Sequence, residues 1–286
     1  SVTINSIALT HLSQASLNKL VSETLYCSQE IAEPLTQILY QNTKGNPFFS
    51  TQFLKSLYED GLIEFNHNSS PVTNKGNQGG WECDITKVKA LSLTDDVVEF
   101  MALQLQKLPE ATQRVLKLAA CIGNQFDLAT LAIVCEQSLD ETATDLWKAL
   151  TGGLILPQSD INKFYLEKTQ VDLVTQVINY RFLHDRVQQA AYSLILETQK
   201  QQTHFKIGQL LLQNLSHEQQ IERIFDLVNQ LNLGIATIKT SEEKQQLAAL
   251  NLQAGQKAKS SAAYQAAYNY FTVGINLLPE TAWQTN

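Results

Sequence analysis

Apolar residues recur every three or four positions along most of the chain, which is the spacing of helices with one buried face. Within residues 1–108 this spacing predicts four helices. Two strand-like runs flank a Gly/Asn/Ser-rich stretch at 67–80 that is typical of a hairpin tip, and a β-prone run comes earlier, at 4–9. The predicted helices are Ser16–Leu25, Glu30–Thr43, Pro47–Asp60 and Asp95–Leu108 with Thr94 as N-cap, and the strands are Leu62–Phe65 and Gly80–Asp84.

The middle of the chain has a different pattern, in which short helices are followed by short strands. This order, three helices and then a β-wing, is that of a winged helix, which we therefore predict at 109–184. The predicted helices are Glu110–Ile122, Leu128–Gln137 and Glu141–Leu150, and the strands are Leu154–Leu156, Phe164–Leu166 and Ile178–Leu183.

The last hundred residues are predicted to be entirely helical. Small residues and tyrosines recur there at three- and four-residue spacing, as in tetratricopeptide-like (TPR-like) helix packing, so we predict the start of an α-solenoid. The fold class is therefore mainly α. The predicted helices lie at about 184–197, 200–214, 218–231, 241–259 and 260–278.

Composition excludes several functional classes. The 286 residues are 44% hydrophobic and carry a net charge of −7, which disfavours nucleic-acid and anionic-membrane surfaces. Four cysteines without a CxxC spacing indicate reduced core residues, no metal site and a cytoplasmic location. No apolar run is long enough to cross a membrane. The chain starts without Met on a strand-like run, so we expect a piece of a longer protein.

One histidine lies where the predicted strand Ile178–Leu183 gives way to a helix. Backbone N–H groups in the first turn of a helix lack partners within the helix, so an anion can bind where His184 and Asp185 lie. The simpler interpretation is a histidine that hydrogen-bonds locally at a helix start. Pro47 is likewise explained by its place in the first turn of a helix.

Three features, in this order, resemble a known family. They are Gly-Asn-Pro-Phe-Phe at 45–49, the predicted winged helix, and Phe-Leu-His-Asp at 182–185. The chain resembles the C-terminal half of a STAND-type nucleotide switch, an AAA-related signalling ATPase. It is most similar to the ATPase module of large bacterial hybrid Ser/Thr–histidine sensor kinases. Further similar stretches lie at 116–123, 145–150 and 181–192. The similarity begins after the place where the family has its P-loop and Walker B strand.

The resemblance implies three domains and a nucleotide site. Residues 1–108 correspond to the C-terminal part of the ATPase domain, with its helical lid and a hairpin insertion, 109–184 to the winged helix, and 185–286 to a TPR-like arm. Pro47, flanked by Gly45, then packs against adenine, and His184 contacts the β-phosphate of ADP with support from Asp185. Leucine replaces the family's methionine at 183. ATP or ADP is the implied cofactor, with Mg²⁺ held through the missing P-loop half.

One function is preferred over two alternatives. We expect the regulatory half of a nucleotide switch that senses ADP or ATP and relays a conformational change to attached kinase and sensor domains. This segment is expected not to be catalytic, whereas the parent is expected to be an ATP-dependent protein kinase. The first alternative is an α-solenoid scaffold that binds a protein ligand on its helical arm. The second, DNA binding, is disfavoured because acidic residues outnumber basic ones over 109–184. The switch requires Pro47 and His184 to face one cleft.

Overall fold

The computed structural model of the chain describes residues 10–66, 80–90, 97–158 and 179–279. These residues are mainly helical, so the predicted mainly-α fold class is confirmed. The predicted strands at 4–9 and Phe164–Leu166, the hairpin tip at 67–79 and the N-cap Thr94 lie outside the described residues. Contacts divide the chain into two compact units, Ser1–Gln104 and Leu105–Asn286. The finer division at 109 and 185 stays a prediction.

The first unit packs helices against a small hairpin. Strands β1 and β2 pair in antiparallel fashion as predicted, with Ile63 opposite Cys83. Apolar residues at helical spacing on α1, α2 and α3, including Leu17, Leu39 and Phe53, form the core. The helix α4 was not predicted. The elements are α1 (Gln14–Thr24), α2 (Gln29–Thr43), α3 (Pro47–Glu59), β1 (Ile63–Asn66), β2 (Gly80–Cys83), α4 (Ile85–Ala90) and α5 (Val97–Gln106), within which the boundary between the units falls.

The first part of the second unit combines three helices with a three-stranded antiparallel sheet. The central strand, β5, pairs with β3 on one side and β4 on the other. The rings of Phe126 and Tyr180 stack across β3 and β5 with their centroids 5.9 Å apart. Strand β3 was not predicted. The elements are α6 (Glu110–Ile122), β3 (Gln125–Asp127), α7 (Leu128–Cys135), α8 (Leu139–Thr151), β4 (Ile155–Pro157) and β5 (Asn179–Phe182).

The rest of the second unit is helical. The predicted helix 218–231 is in fact two helices, because the chain breaks at Arg223, whose guanidinium bonds Thr130 and pairs with Asp127. Helices α13 and α14 approach closely where Gly255 faces the ring of Phe271. The elements are α9 (Asp185–Ser193), α10 (Glu197–Asn214), α11 (His217–Glu222), α12 (Ile224–Leu233), α13 (Ser241–Ser260) and α14 (Tyr264–Leu277).

One hydrophobic cluster of the second unit runs from Cys121 and Val134 on α6 and α7 to Leu277 on α14. A buried chain of hydrogen bonds crosses it. The Gln230 amide donates to the Cys121 carbonyl (2.7 Å), so its oxygen accepts from His204 Nδ1 (2.7 Å). The other ring nitrogen of His204 bonds the Tyr192 hydroxyl at 2.9 Å. These contacts tie α6, α9, α10 and α12 together.

Candidate functional site

The turn between α2 and α3 is fixed by the backbone. Lys44 ends α2 in the left-handed conformation (φ 51°), and Gly45 follows with φ 76°. The Gly45 carbonyl accepts a hydrogen bond from the backbone N–H of Leu12 (2.8 Å), and a Cβ at position 45 would lie 2.1 Å from the Leu12 carbonyl oxygen. The positive φ and the lack of room for a Cβ together require glycine at this position. The prediction that Gly45 ends the helix in a left-handed conformation indicated the same residue type.

The same turn places Pro47 at the first position of α3, as predicted. The Asn46 side chain caps the helix by accepting from the backbone N–H groups of Phe48 (3.0 Å) and Phe49 (3.3 Å). Pro47 has no N–H to leave unpaired and its φ suits a helix start. Its ring is exposed, whereas Gly45 beside it is buried. An exposed, rigid apolar ring is suited to packing against a flat ligand.

His184 is the N-cap of α9, at the predicted change from strand to helix. It follows the central strand β5, whose position is fixed by backbone bonds from Phe182 to Asn124 (2.9 Å) and from Leu183 to Leu154 (3.0 Å). The Nδ1 atom of His184 accepts a hydrogen bond from the backbone N–H of Arg186 at 3.1 Å. The simpler prediction for His184, a local hydrogen bond at a helix start, is therefore confirmed.

This cap defines the chemistry of the ring. A nitrogen that accepts a hydrogen bond carries no proton, so the neutral ring of His184 has its proton on Nε2. The ring is half-buried, while Asp185, Arg186 and Arg181 around it are exposed. The start of α9 thus combines an imidazole N–H donor with the carboxylate of Asp185 and the guanidinium of Arg186, and Arg181 lies on the preceding strand β5.

Histidine is an unusual residue for this position. Ser, Thr, Asn and Asp are the side chains that favour N-caps. Within the described ranges, the other side-chain caps are all of these types: Ser13, Asn46, Asp84, Asp127, Ser138, Ser216 and Thr240. Capping explains why a polar side chain stands at 184, but it does not explain why that side chain is an imidazole.

The four predicted site residues form two local pairs. Gly45 and Pro47 share the α2–α3 turn in the first unit, and His184 and Asp185 share the start of α9 in the second. A cleft common to both pairs stays a prediction. Two positioning residues were missed, Leu12 beneath Gly45 and Leu154 beside Leu183, because each acts through its backbone and leaves no sequence signal.

The two pairs of residues fit the implied ligands in part. The Nε2–H donor at His184 and the exposed ring of Pro47 suit the phosphate and adenine ends of a nucleotide, while the carboxylate of Asp185 disfavours an anion next to it. Among the described residues no group of three or more His, Cys, Asp or Glu side chains could hold a metal ion. In the same part of the chain, no helix has the length and apolar character needed to cross a bilayer.

Comparison with known proteins gives one relationship. No family model matches the chain. The chain is 34% identical over 318 aligned positions to hybrid signal transduction histidine kinase G of Dictyostelium discoideum, and the match covers 95% of this chain. The chain spans only 9% of the length of that relative. The chain is therefore related in sequence to a segment of a signal-transduction kinase.

Proposed function

We propose that this chain is the regulatory part of a nucleotide-responsive switch within a multidomain signal-transduction kinase, as the resemblance to STAND-type ATPases suggested. The relationship to a hybrid histidine kinase supports the signalling role. The observation that carries the nucleotide role is His184, an imidazole that caps its helix, whereas the other side-chain caps within the described residues are Ser, Thr, Asn or Asp. Capping alone does not require a histidine at this position, whereas a contact with phosphate would account for it.

Three residues of this chain have a role in the proposed switch. His184 donates Nε2–H to a phosphate oxygen of ADP while Nδ1 keeps its cap bond to Arg186. Pro47 offers its exposed ring to the adenine, and Gly45 holds the turn that presents it. ATP or ADP, with Mg²⁺, would be held mainly by a P-loop segment of the longer protein.

The switch works only through unequal affinities. ADP shifts the equilibrium between closed and open arrangements by the difference in its affinity for the two, and by nothing more. A contact that exists only in the closed arrangement, such as the one proposed at His184, provides that difference. Attached kinase and sensor domains are the proposed recipients of the change.

The test measures ADP binding by calorimetry in the longer protein of which this segment would be part. His184→Asn keeps a good N-cap but removes the imidazole, so we expect a loss of affinity of about tenfold or more, the scale of a charge-assisted hydrogen bond. His217→Asn, at an exposed histidine on α11, is the matched control and is expected to leave ADP affinity unchanged. Equal affinities for the His184→Asn variant and the wild type would overturn the proposal.

A second candidate is a protein-binding scaffold without a nucleotide role. It is favoured by α14, which exposes Tyr264, Tyr268 and Ile275 on one face, because positions four and eleven residues apart lie at nearly the same angle around a helix. In that case His184→Asn leaves ADP affinity unchanged. Tyr264→Glu and Tyr268→Glu would instead abolish signalling by the longer protein.

A further inference from the structure

A groove of about 940 Å³ lies within the second unit, between α6, α7 and α10. Its floor is formed by the buried side chains of Val134, Cys135, Ile195 and Ile207. Burial raises the pKa of the Cys135 thiol to about 11, so the floor carries no charge at neutral pH. A concave site of this volume with an apolar base is typical of small-molecule pockets.

The rim of the groove is charged. Arg114, Lys117 and Lys206 line it together with Glu110 and Glu136. Lys206 and Glu136 form an ion pair with each other, so they contribute no net charge. The remaining groups are two cations and one carboxylate, all on α6. The groove therefore carries a local positive charge on a chain whose net charge is −7.

The two cations on α6 are close to each other. Arg114 and Lys117 are three residues apart and share one helix face. Arg114 also donates from Nη2 to the carbonyl of Cys135 at 3.0 Å, which holds its guanidinium over the end of α7. Lys117 has no ion pair or hydrogen bond within the part of the chain that the structure describes. Glu110 lies two helical turns from Lys117, a rise of roughly 10 Å, so it neutralises that ammonium poorly.

We propose that this groove binds a small organic anion with an apolar body, such as an alkyl carboxylate. Its charged group meets Lys117 and Arg114, and its apolar part lies on Val134, Ile195 and Ile207. This inference is independent of the nucleotide site, since none of its residues belongs to the α2–α3 turn or to the start of α9. The groove gives the signalling segment a place for a chemical input.

The first test titrates the 286-residue protein with hexanoate, octanoate and decanoate by calorimetry, below their micelle concentrations. We expect one saturable site, with affinity rising roughly fourfold for each added CH₂. Octan-1-ol and octylammonium have the same chain without the negative charge, and we expect them to bind at least about tenfold more weakly than octanoate. The absence of saturable binding, or equal binding of octylammonium, would overturn the proposal.

Matched variants assign the binding to the groove. Lys117→Gln keeps the length of the side chain without its charge, and we expect octanoate affinity to fall by about fivefold or more. Lys148→Gln, at an exposed lysine on α8 that does not line the groove, is expected to change nothing. Thr203→Phe places a ring in the groove from its partly exposed wall and should abolish binding while the melting temperature is kept. Octanoate binding that survives both Lys117→Gln and Thr203→Phe lies elsewhere and overturns the proposal.

Discussion

The α2–α3 turn and the β5–α9 junction carry the predicted site residues, and they are held in different ways. The turn is fixed by the backbone, since a residue with φ 76° and room for no Cβ has to be glycine. The junction is fixed by a side chain, since His184 accepts from the Arg186 N–H. At the turn, the backbone conformation and the close contact with Leu12 explain the glycine without any ligand. At the junction, several residues would cap equally well, so capping alone does not require a histidine.

The largest expected effect is that of Gly45→Ala. The new methyl group meets the Leu12 carbonyl oxygen, and the left-handed conformation adds its own cost, so we expect a loss of about 2–4 kcal/mol in the free energy of unfolding. The matched control is Gly61→Ala, where φ is 67° but the nearest atom is the flexible Glu64 carboxylate at 3.2 Å. It should cost about 1–2 kcal/mol. Urea unfolding measures both, and equal losses would show that the Leu12 contact contributes nothing.

Cysteine labelling should locate that effect in the first unit. Thiolates are the reactive form, and burial raises the pKa of Cys83 and Cys135 to about 11 and that of Cys121 to about 12. At pH 8 labelling therefore depends on opening of the structure. In the Gly45→Ala variant we expect Cys83 to react about 30-fold faster or more, as a 2 kcal/mol loss implies. Cys121 and Cys135 should react at the wild-type rate. Uniform acceleration at all three positions, measured by peptide mass spectrometry, would contradict separate opening of the two units.

Substitutions of His184 should have a smaller effect on stability. His184→Ala removes the cap of α9 and should cost about 1 kcal/mol, whereas His184→Asn restores a favoured cap and should stay within about 0.5 kcal/mol of wild type. Asn46→Ala, which removes the cap of α3, is the matched substitution at the turn and should also cost about 1 kcal/mol. Urea unfolding followed through hydrogen exchange in each helix measures these losses. A larger loss for Asn than for Ala at 184 would show that ring packing, and not capping, holds the junction.

The smallest expected effect is that of Pro47→Ala. The exposed ring contributes mainly by restricting the unfolded chain, so its removal should cost about 0.4–1 kcal/mol. In the longer protein, the nucleotide proposal adds a loss of ADP affinity that stability alone does not predict. Thermal unfolding and calorimetry on the same variant separate the two contributions. Unchanged ADP affinity would leave Pro47 with only its role at the helix start.

Local signals predicted the elements, and long-range contacts account for most of the differences. Helix α6 matches its prediction because its apolar face repeats regularly and Pro109 and Gly123 flank it. Strand β3 has only three residues, too few for an alternating pattern, and it exists through pairing with β5 more than fifty residues later. The break falls at Arg223, whose guanidinium contacts Asp127 and Thr130, nearly a hundred residues earlier, and such contacts leave no local signal in the sequence. Six-residue α4 is too short for a helical period to be visible.

The candidate site followed the same rule. Gly45 and Pro47 were predicted correctly as a helix end and a helix start, because glycine and proline indicate these backbone conformations from the local sequence alone. The place of His184 at a strand–helix junction was predicted correctly, whereas its Nδ1 cap bond was foreseen only as a general alternative. The groove was not predicted, because its floor combines Val134 and Ile207 from helices distant in sequence.

The packing that joins α6 to α14 has a mechanical consequence. Hydrophobic contacts from Cys121 to Leu277 and the buried Gln230 amide on the Cys121 carbonyl couple these helices, and the Tyr192–His204 bond adds α9 to them. We therefore expect a displacement at the start of α9 to reach the far helices. Helix α13 alone, with 20 residues, spans roughly 30 Å, so a small rotation of these helices near His184 becomes a larger displacement at its far end.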